Sequence, residues 1–177
     1  VLLNGWRCHA SAPRRGTLVY LHGIADNHTS AAGTIDRFAA TGLDVIAYDS
    51  RAHGGSTGEA CTYGFYEKRD LQLVLDTLPS GSIVLFGTSL GAAVALQEAA
   101  DDPQVTAVVA AETFSDLRTV ATERAPWFFT KPIIDRAFRL AERQAGFEVD
   151  EVSPVAAARK ITVPVLLIHG AADVDTP

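Results

Sequence analysis

The chain has 177 residues, of which 47% are hydrophobic and 20% are charged, and its formal net charge is −6 at pH 7. This composition is typical of one soluble globular domain, and the acidic balance argues against a nucleic-acid surface or a footprint on anionic membranes. No apolar run is long enough to span a bilayer and no signal peptide opens the chain, so we expect a cytoplasmic location.

The first half of the chain alternates apolar runs with helical patterns. The predicted elements are, in order, a strand over 5–10, a strand over 17–21, a helix over 31–40 and a strand over 43–48. The second strand ends at His22 and Gly23, and the third delivers Asp49 and Arg51 to its carboxyl end. We expect Asp49 and Arg51 to pair with each other and to brace the loop that follows.

The second half repeats this alternation. Leu71, Val74, Leu75 and Leu78 recur at i, i+3, i+4 and i+7, which predicts a helix that is broken at Pro79. Further elements are predicted as a strand over 82–86, a helix over 92–100, a strand over 105–111 and a strand over 163–168. This order predicts parallel βαβ units, and therefore an α/β fold with a doubly wound, mostly parallel sheet and helices on both faces.

Residues 87–91, Gly-Thr-Ser-Leu-Gly, stand between an apolar run and a helical run. A G-x-S-x-G pattern between strand and helix is typical of a nucleophile elbow, in which small neighbours tolerate a strained serine. We therefore predict that Ser89 is a nucleophile at a strand end, with the backbone N–H of Leu90 aimed at the same point. The bland alternative is an ordinary glycine-bounded turn.

Residues 113–152 interrupt the alternation with more chain than one crossover needs. A helix is predicted over residues 131–144, and an aromatic run, Trp127, Phe128 and Phe129, precedes it. We predict that this insertion is a small helical lid, and that the three aromatic side chains line a pocket for an acyl or aryl group.

Two cysteines, Cys8 and Cys61, lie far apart and outside any metal-ligand spacing. We predict free thiols, with a single Cys8–Cys61 bridge as the alternative. No pattern indicates a metal site, a phosphate loop or a dinucleotide fingerprint, so we expect no metal and no cofactor. The chain lacks methionine and ends in a predicted loop, so we expect a single domain over 1–177 that is incomplete at both ends.

Four motifs in this order, at residues 21–23, 49–56, 87–91 and 169–173, resemble the α/β-hydrolase fold. The group with a small lid contains carboxylesterases, lipase-like and thioesterase-like enzymes and serine aminopeptidases. The resemblance runs from about residue 17 to the end of the chain and implies a Ser-acid-His triad in that chain order.

The resemblance also implies roles for individual residues. Asp173 would be the triad acid, with Asp175 as runner-up and Glu112 as a further alternative. The oxyanion hole would be formed by the backbone N–H groups of Ile24 and Leu90.

The histidine of the triad does not fit this pattern within the chain. All five histidines precede Asp173, whereas the resemblance implies that the catalytic one comes from a later loop. His22 and His169 are predicted to be structural and His53 to belong to a tight turn, while His28 is a candidate for the pocket wall. We therefore expect the catalytic histidine beyond Pro177.

These features predict a serine hydrolase that cleaves carboxylic esters or thioesters of small acyl molecules through an acyl-enzyme. A peptidase or amidase on the same scaffold is the first alternative, and a non-catalytic ligand-binding module is the second. The sequence leaves the oligomeric state open.

Overall fold

The computed structural model describes residues 1–173 of the chain. Its strands are β1 (Gly5–Cys8), β2 (Gly16–Leu21), β3 (Leu43–Tyr48), β4 (Ser82–Thr88), β5 (Val105–Ala111) and β6 (Val165–Ile168). They form one sheet in the order β1-β3-β2-β4-β5-β6. β1 runs antiparallel to β3, and all other neighbouring strands are parallel.

Helices connect the strands and lie on both faces of the sheet. They are α1 (Ala32–Ala39), α2 (Glu67–Leu75), α3 (Leu90–Ala99), α4 (Leu117–Glu123), α5 (Lys131–Ala145) and α6 (Pro154–Ala158), with short 3-10 turns at His28–Ala31 and Val149–Glu151. The predicted doubly wound α/β architecture is therefore confirmed. The predicted insertion over 113–152 contains α4 and α5.

The central strand β2 is buried on both of its faces. All of its residues are buried, because alternate side chains enter hydrophobic clusters on opposite faces of the sheet. Val19 and Leu21 pack with residues of α2 and α3, whereas Leu18 and Tyr20 pack with residues that flank and form α1. The chain thus builds one core on each face of the sheet.

Helix α2 is shorter than the predicted stripe. It ends at Leu75, and the N–H of Leu78 donates to the Leu75 carbonyl in the turn that follows. Pro79 disfavours helical backbone at the residue before it, so Leu78 cannot extend the helix. Its side chain still packs against the main hydrophobic cluster.

The insertion packs less tightly than the sheet. Leu117 and Val120 of α4 are buried, but α5 has no fully buried residue. Helix α5 ends at Ala145 and is capped by Gly146, whose φ of 68° is the left-handed conformation that glycine adopts without strain.

Candidate active site

Ser89 occupies a strained junction between β4 and α3. Its φ is 49° and its ψ is −112°, a combination that side-chain-bearing residues rarely adopt. The Ser89 N–H donates to the carbonyl of Ala111 at the end of β5 (2.8 Å). The Ser89 carbonyl accepts from Ala92 and Ala93 (both 3.1 Å), so it starts the hydrogen bonding of α3. The sharp turn predicted for this position is therefore present.

Two glycines make this turn possible by allowing close backbone approach. A Cβ on Gly91 would lie 2.1 Å from the Leu21 carbonyl oxygen, and one on Gly87 would lie 2.2 Å from the Gly91 carbonyl oxygen. No real Cβ tolerates such distances. The start of α3 is therefore pressed against the end of β2, and Gly23 also faces Ser89.

The two predicted oxyanion donors lie on either side of this contact. Leu90 is the first residue of α3, where backbone N–H groups have no partner within the helix. Ile24 follows Gly23 in the turn after β2, and its side chain is exposed. A Cβ built on Gly23 would lie 3.5 Å from the Ser89 Cβ, which brings the loop that carries Ile24 beside the elbow.

Asp173 lies after β6, at the same edge of the sheet as Ser89. The β4 and β6 strands are separated only by β5, so their ends are roughly 10 Å apart. The Asp173 carboxylate lies 3.4 Å from His169 Nε2, and its side chain is 17% exposed. Glu112 at the end of β5 is exposed and has a φ of 56°. Asp175 lies outside the described residues.

The histidines near the elbow are engaged in structural contacts. His22 is fully buried, with Nδ1 2.7 Å from the Gly23 carbonyl and Nε2 accepting from the Ser50 N–H (2.9 Å). Burial lowers the pKa of His22, which keeps the ring neutral. His53 Nδ1 lies 2.9 Å from the Arg51 carbonyl.

His28 contacts a buried carboxylate. Its Nδ1 lies 2.6 Å from Asp49 Oδ1, which also accepts from the His28 backbone N–H (2.7 Å). Asp49 is 1% exposed, and its other oxygen accepts from the Gly55 N–H. Burial alone would raise the Asp49 pKa, but these hydrogen bonds outweigh it and hold the pKa well below its usual range.

The prediction that Asp49 and Arg51 pair with each other is wrong. Asp49 turns inward to His28, whereas the Arg51 guanidinium forms two hydrogen bonds, of 2.6 and 2.7 Å, with Asp70 on α2. Both residues do brace the loop after β3, but through separate partners. Asp70 was missed because its partner lies 19 positions away, and the polar face of a helix carries no signal for which carboxylate will pair.

A cavity of about 720 Å³ lies between the loop after β3 and the insertion. Aromatic rings line it, among them Tyr63, Phe138 and Phe147. Tyr63 was not predicted to contribute, because its place in the cavity wall depends on how the loop after β3 packs beside the insertion.

The predicted pocket residues Trp127, Phe128 and Phe129 do not line this cavity. They lie at the surface between α4 and α5, with exposed fractions of 95%, 60% and 40%. Their role in substrate binding stays a prediction.

Other expectations concern metals, thiols and membranes. Both cysteines are free thiols, and Cys61 lines the cavity, where burial raises its pKa to about 12. Within residues 1–173, no group of three or more His, Cys, Asp and Glu side chains is arranged to hold a metal ion. No helix in that range has the length and apolarity needed to cross a membrane.

Comparison with known proteins links this geometry to one family. The profile described as "alpha/beta hydrolase fold" matches residues 16–162. The uncharacterized protein YqkD of Bacillus subtilis (strain 168) is 34% identical over 174 residues, which cover 89% of this chain and 55% of YqkD. The uncharacterized protein Rv2307c of Mycobacterium tuberculosis is 27% identical, over a match that covers 97% of this chain and 57% of Rv2307c. The chain thus spans a little over half the length of these relatives.

Solved structures of the same fold superpose over nearly the whole chain. A monoacylglycerol lipase of Paleococcus ferrophilus has a TM-score of 0.74 at 22% identity. The match covers 100% of this chain and 80% of the lipase. The Pyrococcus furiosus esterase Pf2001 has a TM-score of 0.71 at 22% identity. The match covers 99% of this chain and 73% of the esterase. An acylaminoacyl peptidase of Pyrococcus horikoshii has a TM-score of 0.71 at 16% identity. The match covers 99% of this chain and 31% of the peptidase.

Proposed function

This chain belongs to the alpha/beta hydrolase fold family, and on that premise we propose that it is a serine hydrolase. It would cleave carboxylic esters or thioesters through an acyl-enzyme on Ser89. The observation that carries the proposal is the backbone of Ser89, with φ 49° at a strand-to-helix junction. Such strain costs about 1–3 kcal/mol and clusters at functional sites, whereas an ordinary turn would place glycine there.

The proposed reaction begins when Ser89 Oγ bonds to the acyl carbon while a histidine accepts the hydroxyl proton. The carbonyl electron pair moves onto oxygen, where the N–H groups of Leu90 and Ile24 would donate hydrogen bonds. Each such donor is typically worth about 3 kcal/mol in the transition state. The C–O or C–S bond then breaks, and the alcohol or thiol leaves with the proton from the imidazolium. Water attacks the acyl-enzyme in the same way, releases the acid and restores Ser89.

Asp173 is the proposed triad acid, which would orient the imidazole and stabilise its protonated form without taking the proton itself. Its position two strands from the elbow leaves room for a ring between its carboxylate and the serine hydroxyl. The proposal assigns the base to a histidine beyond Pro177, because both ring nitrogens of His22 and the Nδ1 of His28 are held by other groups.

The cavity between the loop after β3 and the insertion is the candidate site for the acyl group, although Ser89 itself is not among the residues that line it. Its volume of about 720 Å³ and its aromatic lining suit an acyl or aryl group of moderate size, since ligand sites are mostly apolar with few polar anchors. Arg51 reaches this cavity, but its guanidinium is already bound to Asp70. The chain therefore favours a neutral acyl group over a charged one.

The test is covalent labelling of the full-length protein with a fluorophosphonate, followed by peptide mass spectrometry. Ser89 should carry the label, and Ser89→Ala should abolish both labelling and p-nitrophenyl butyrate hydrolysis, with a loss of about 10⁴-fold or more in kcat/KM. Ser82→Ala, at the other end of β4, is the matched control and should retain both. A folded protein that is labelled elsewhere or not at all contradicts the proposal.

The amide alternative is tested in the same preparation. An acylaminoacyl peptidase stands among the structural neighbours, so aminoacyl p-nitroanilides are the second substrate class to compare. Amide cleavage requires protonation of a poor leaving group, and we expect ester turnover to exceed it. A folded, unlabelled protein that still binds acyl ligands would instead indicate the non-catalytic module.

A further inference from the structure

The segment between α4 and α5 exposes three consecutive aromatic side chains, Trp127, Phe128 and Phe129, which we call the aromatic tip. Trp127 is 95% exposed and Phe128 is 60% exposed. The rings pack edge to face on one another, with centroids 5.8 Å apart for Trp127 and Phe128 and 5.2 Å apart for Phe128 and Phe129. They contribute nothing to the core, and a contiguous exposed apolar patch of this kind marks an interaction surface.

The outer face of α5 continues this surface with a different chemistry. Arg136, Arg139 and Arg143 surround the exposed Leu140 and form with it a shallow depression of about 360 Å³. Their spacing of three and four residues places them together on the helix. Exposed Ile133 lies one turn earlier, next to the aromatic tip. We call these five residues the α5 outer face.

The arginines of this face lie at exposed positions of α5. Within residues 1–173, none of Arg136, Arg139 and Arg143 forms an ion pair closer than 4.0 Å. Two acidic side chains of the same helix have other partners. Asp135 is paired with Lys131 (3.3 Å), and Glu142 accepts from the Val149 N–H (3.2 Å).

Further acidic groups flank the arginines on one side only. Glu142, Glu148 and Asp150 share a second depression with Arg139 and Arg143, and the Asp150 carboxylate is bound to Arg118. The outward side of the helix therefore stays basic, although the chain as a whole has a net charge of −6.

We propose that the aromatic tip and the α5 outer face dock on an anionic phospholipid surface. Guanidinium groups bind phosphate oxygens, and apolar side chains between them enter the acyl boundary, as in helices that lie in the plane of a membrane. Tryptophan favours the same depth, because its ring is apolar while its N–H needs a polar partner. A second copy of the chain fits poorly, since a two-fold contact through this face would oppose arginines to arginines.

Vesicle co-sedimentation tests the proposal on the full-length protein. The protein should bind vesicles made of equal parts phosphatidylcholine and phosphatidylglycerol, and not vesicles of phosphatidylcholine alone. Binding should weaken as salt is raised. The Trp6→Phe variant leaves Trp127 as the single tryptophan of residues 1–177, and in a protein of those residues its emission should shift to the blue on binding. Ser89→Ala should bind equally, so this test and the labelling test fail independently.

Two charge-matched triple variants separate this face from general charge. Arg136→Gln/Arg139→Gln/Arg143→Gln should lower the bound fraction at least tenfold, whereas Arg7→Gln/Arg37→Gln/Arg159→Gln, at exposed sites elsewhere, should leave it unchanged. Circular dichroism checks that both variants fold. Equal binding to neutral vesicles, no binding to anionic ones, or equal loss in both variants overturns the proposal. So does concentration-dependent self-association, measured by light scattering, that the first variant abolishes and the second keeps.

Discussion

The elbow between β4 and α3 and the insertion after β5 are built in opposite ways. At the elbow, backbone atoms of β2 and α3 are so close that Gly91 has no room for a Cβ, and every residue of α3 from Leu90 to Glu98 is buried. In the insertion, α5 has no fully buried residue and the aromatic tip lies in solvent. The difference teaches that the proposed nucleophile is held by closely packed main chain, whereas the proposed docking surface consists of exposed side chains.

The largest expected effect on stability is steric. It is measured by replacing one glycine in each region with alanine. Gly91→Ala would place a Cβ 2.1 Å from the Leu21 carbonyl oxygen, and main-chain atoms cannot yield, so we expect a loss of more than about 4 kcal/mol in the free energy of unfolding. Gly146→Ala meets only the Tyr66 hydroxyl at 3.4 Å but must adopt a φ of 68°, so the loss should be about 1 kcal/mol. Urea denaturation measures both, and similar losses would break the comparison.

A second pair of variants compares leucines of the two regions. Leu85 in β4 is fully buried, so Leu85→Ala should leave a cavity and cost about 3 kcal/mol. Leu140 is 55% exposed on the α5 outer face, so Leu140→Ala should change stability by less than about 0.5 kcal/mol. Thermal unfolding checks both values. A large loss for Leu140→Ala would show that α5 packs against something in the free protein.

A pH-dependent effect is expected at the far end of α3. Burial, and then the charge of Asp102, raise the pKa of Glu98 from 4.5 to about 7. The folded state therefore binds this proton more tightly than the unfolded chain, so stability should fall as pH rises from about 4.5 to 7 and stay lower above that range. Asp101, Asp76 and Lys68 also face this carboxylate, and Lys68 partly offsets the effect.

Glu98→Gln removes this ionisation and should stabilise the protein at pH 8 by at most about 3 kcal/mol, with a smaller change at pH 5. Glu123→Gln, at an exposed position of α4, is the control and should change neither value. Melting temperatures across the pH range measure the effect. A destabilised Glu98→Gln at pH 8 would contradict it.

A further effect is expected within the insertion, and it concerns the packing of α5. Phe138 of α5 packs against the second hydrophobic cluster, and the Arg118 guanidinium lies 4.7 Å from its ring centre. Phe138→Ala should loosen α5 by about 1 kcal/mol and speed amide exchange there, while β4 stays protected. Hydrogen exchange with mass spectrometry resolves the two regions. Faster exchange in β4 would show that they unfold together.

The order of secondary-structure elements predicted from local sequence is confirmed, whereas the predicted side-chain contact between Asp49 and Arg51 is wrong. The order of strands and helices follows from apolar periodicity, and the turn at Ser89 follows from glycines that permit close approach. The extent of α2 was overestimated, because Leu78 continues the apolar stripe although Pro79 prevents the helix from reaching it. Pattern and backbone sterics disagreed at that residue, and backbone sterics decided the outcome.

The sequence by itself therefore determined the architecture and the place of the elbow, since periodicity and glycine sterics act within a few residues of the chain. Only the tertiary structure decided that Asp49 contacts His28 while Arg51 contacts Asp70, because an ion pair depends on which distant side chains the fold brings within reach. The same holds for α5. Its pattern predicted a helix, but only packing decided that Phe138 faces the cavity and that Arg136, Arg139 and Arg143 face outward.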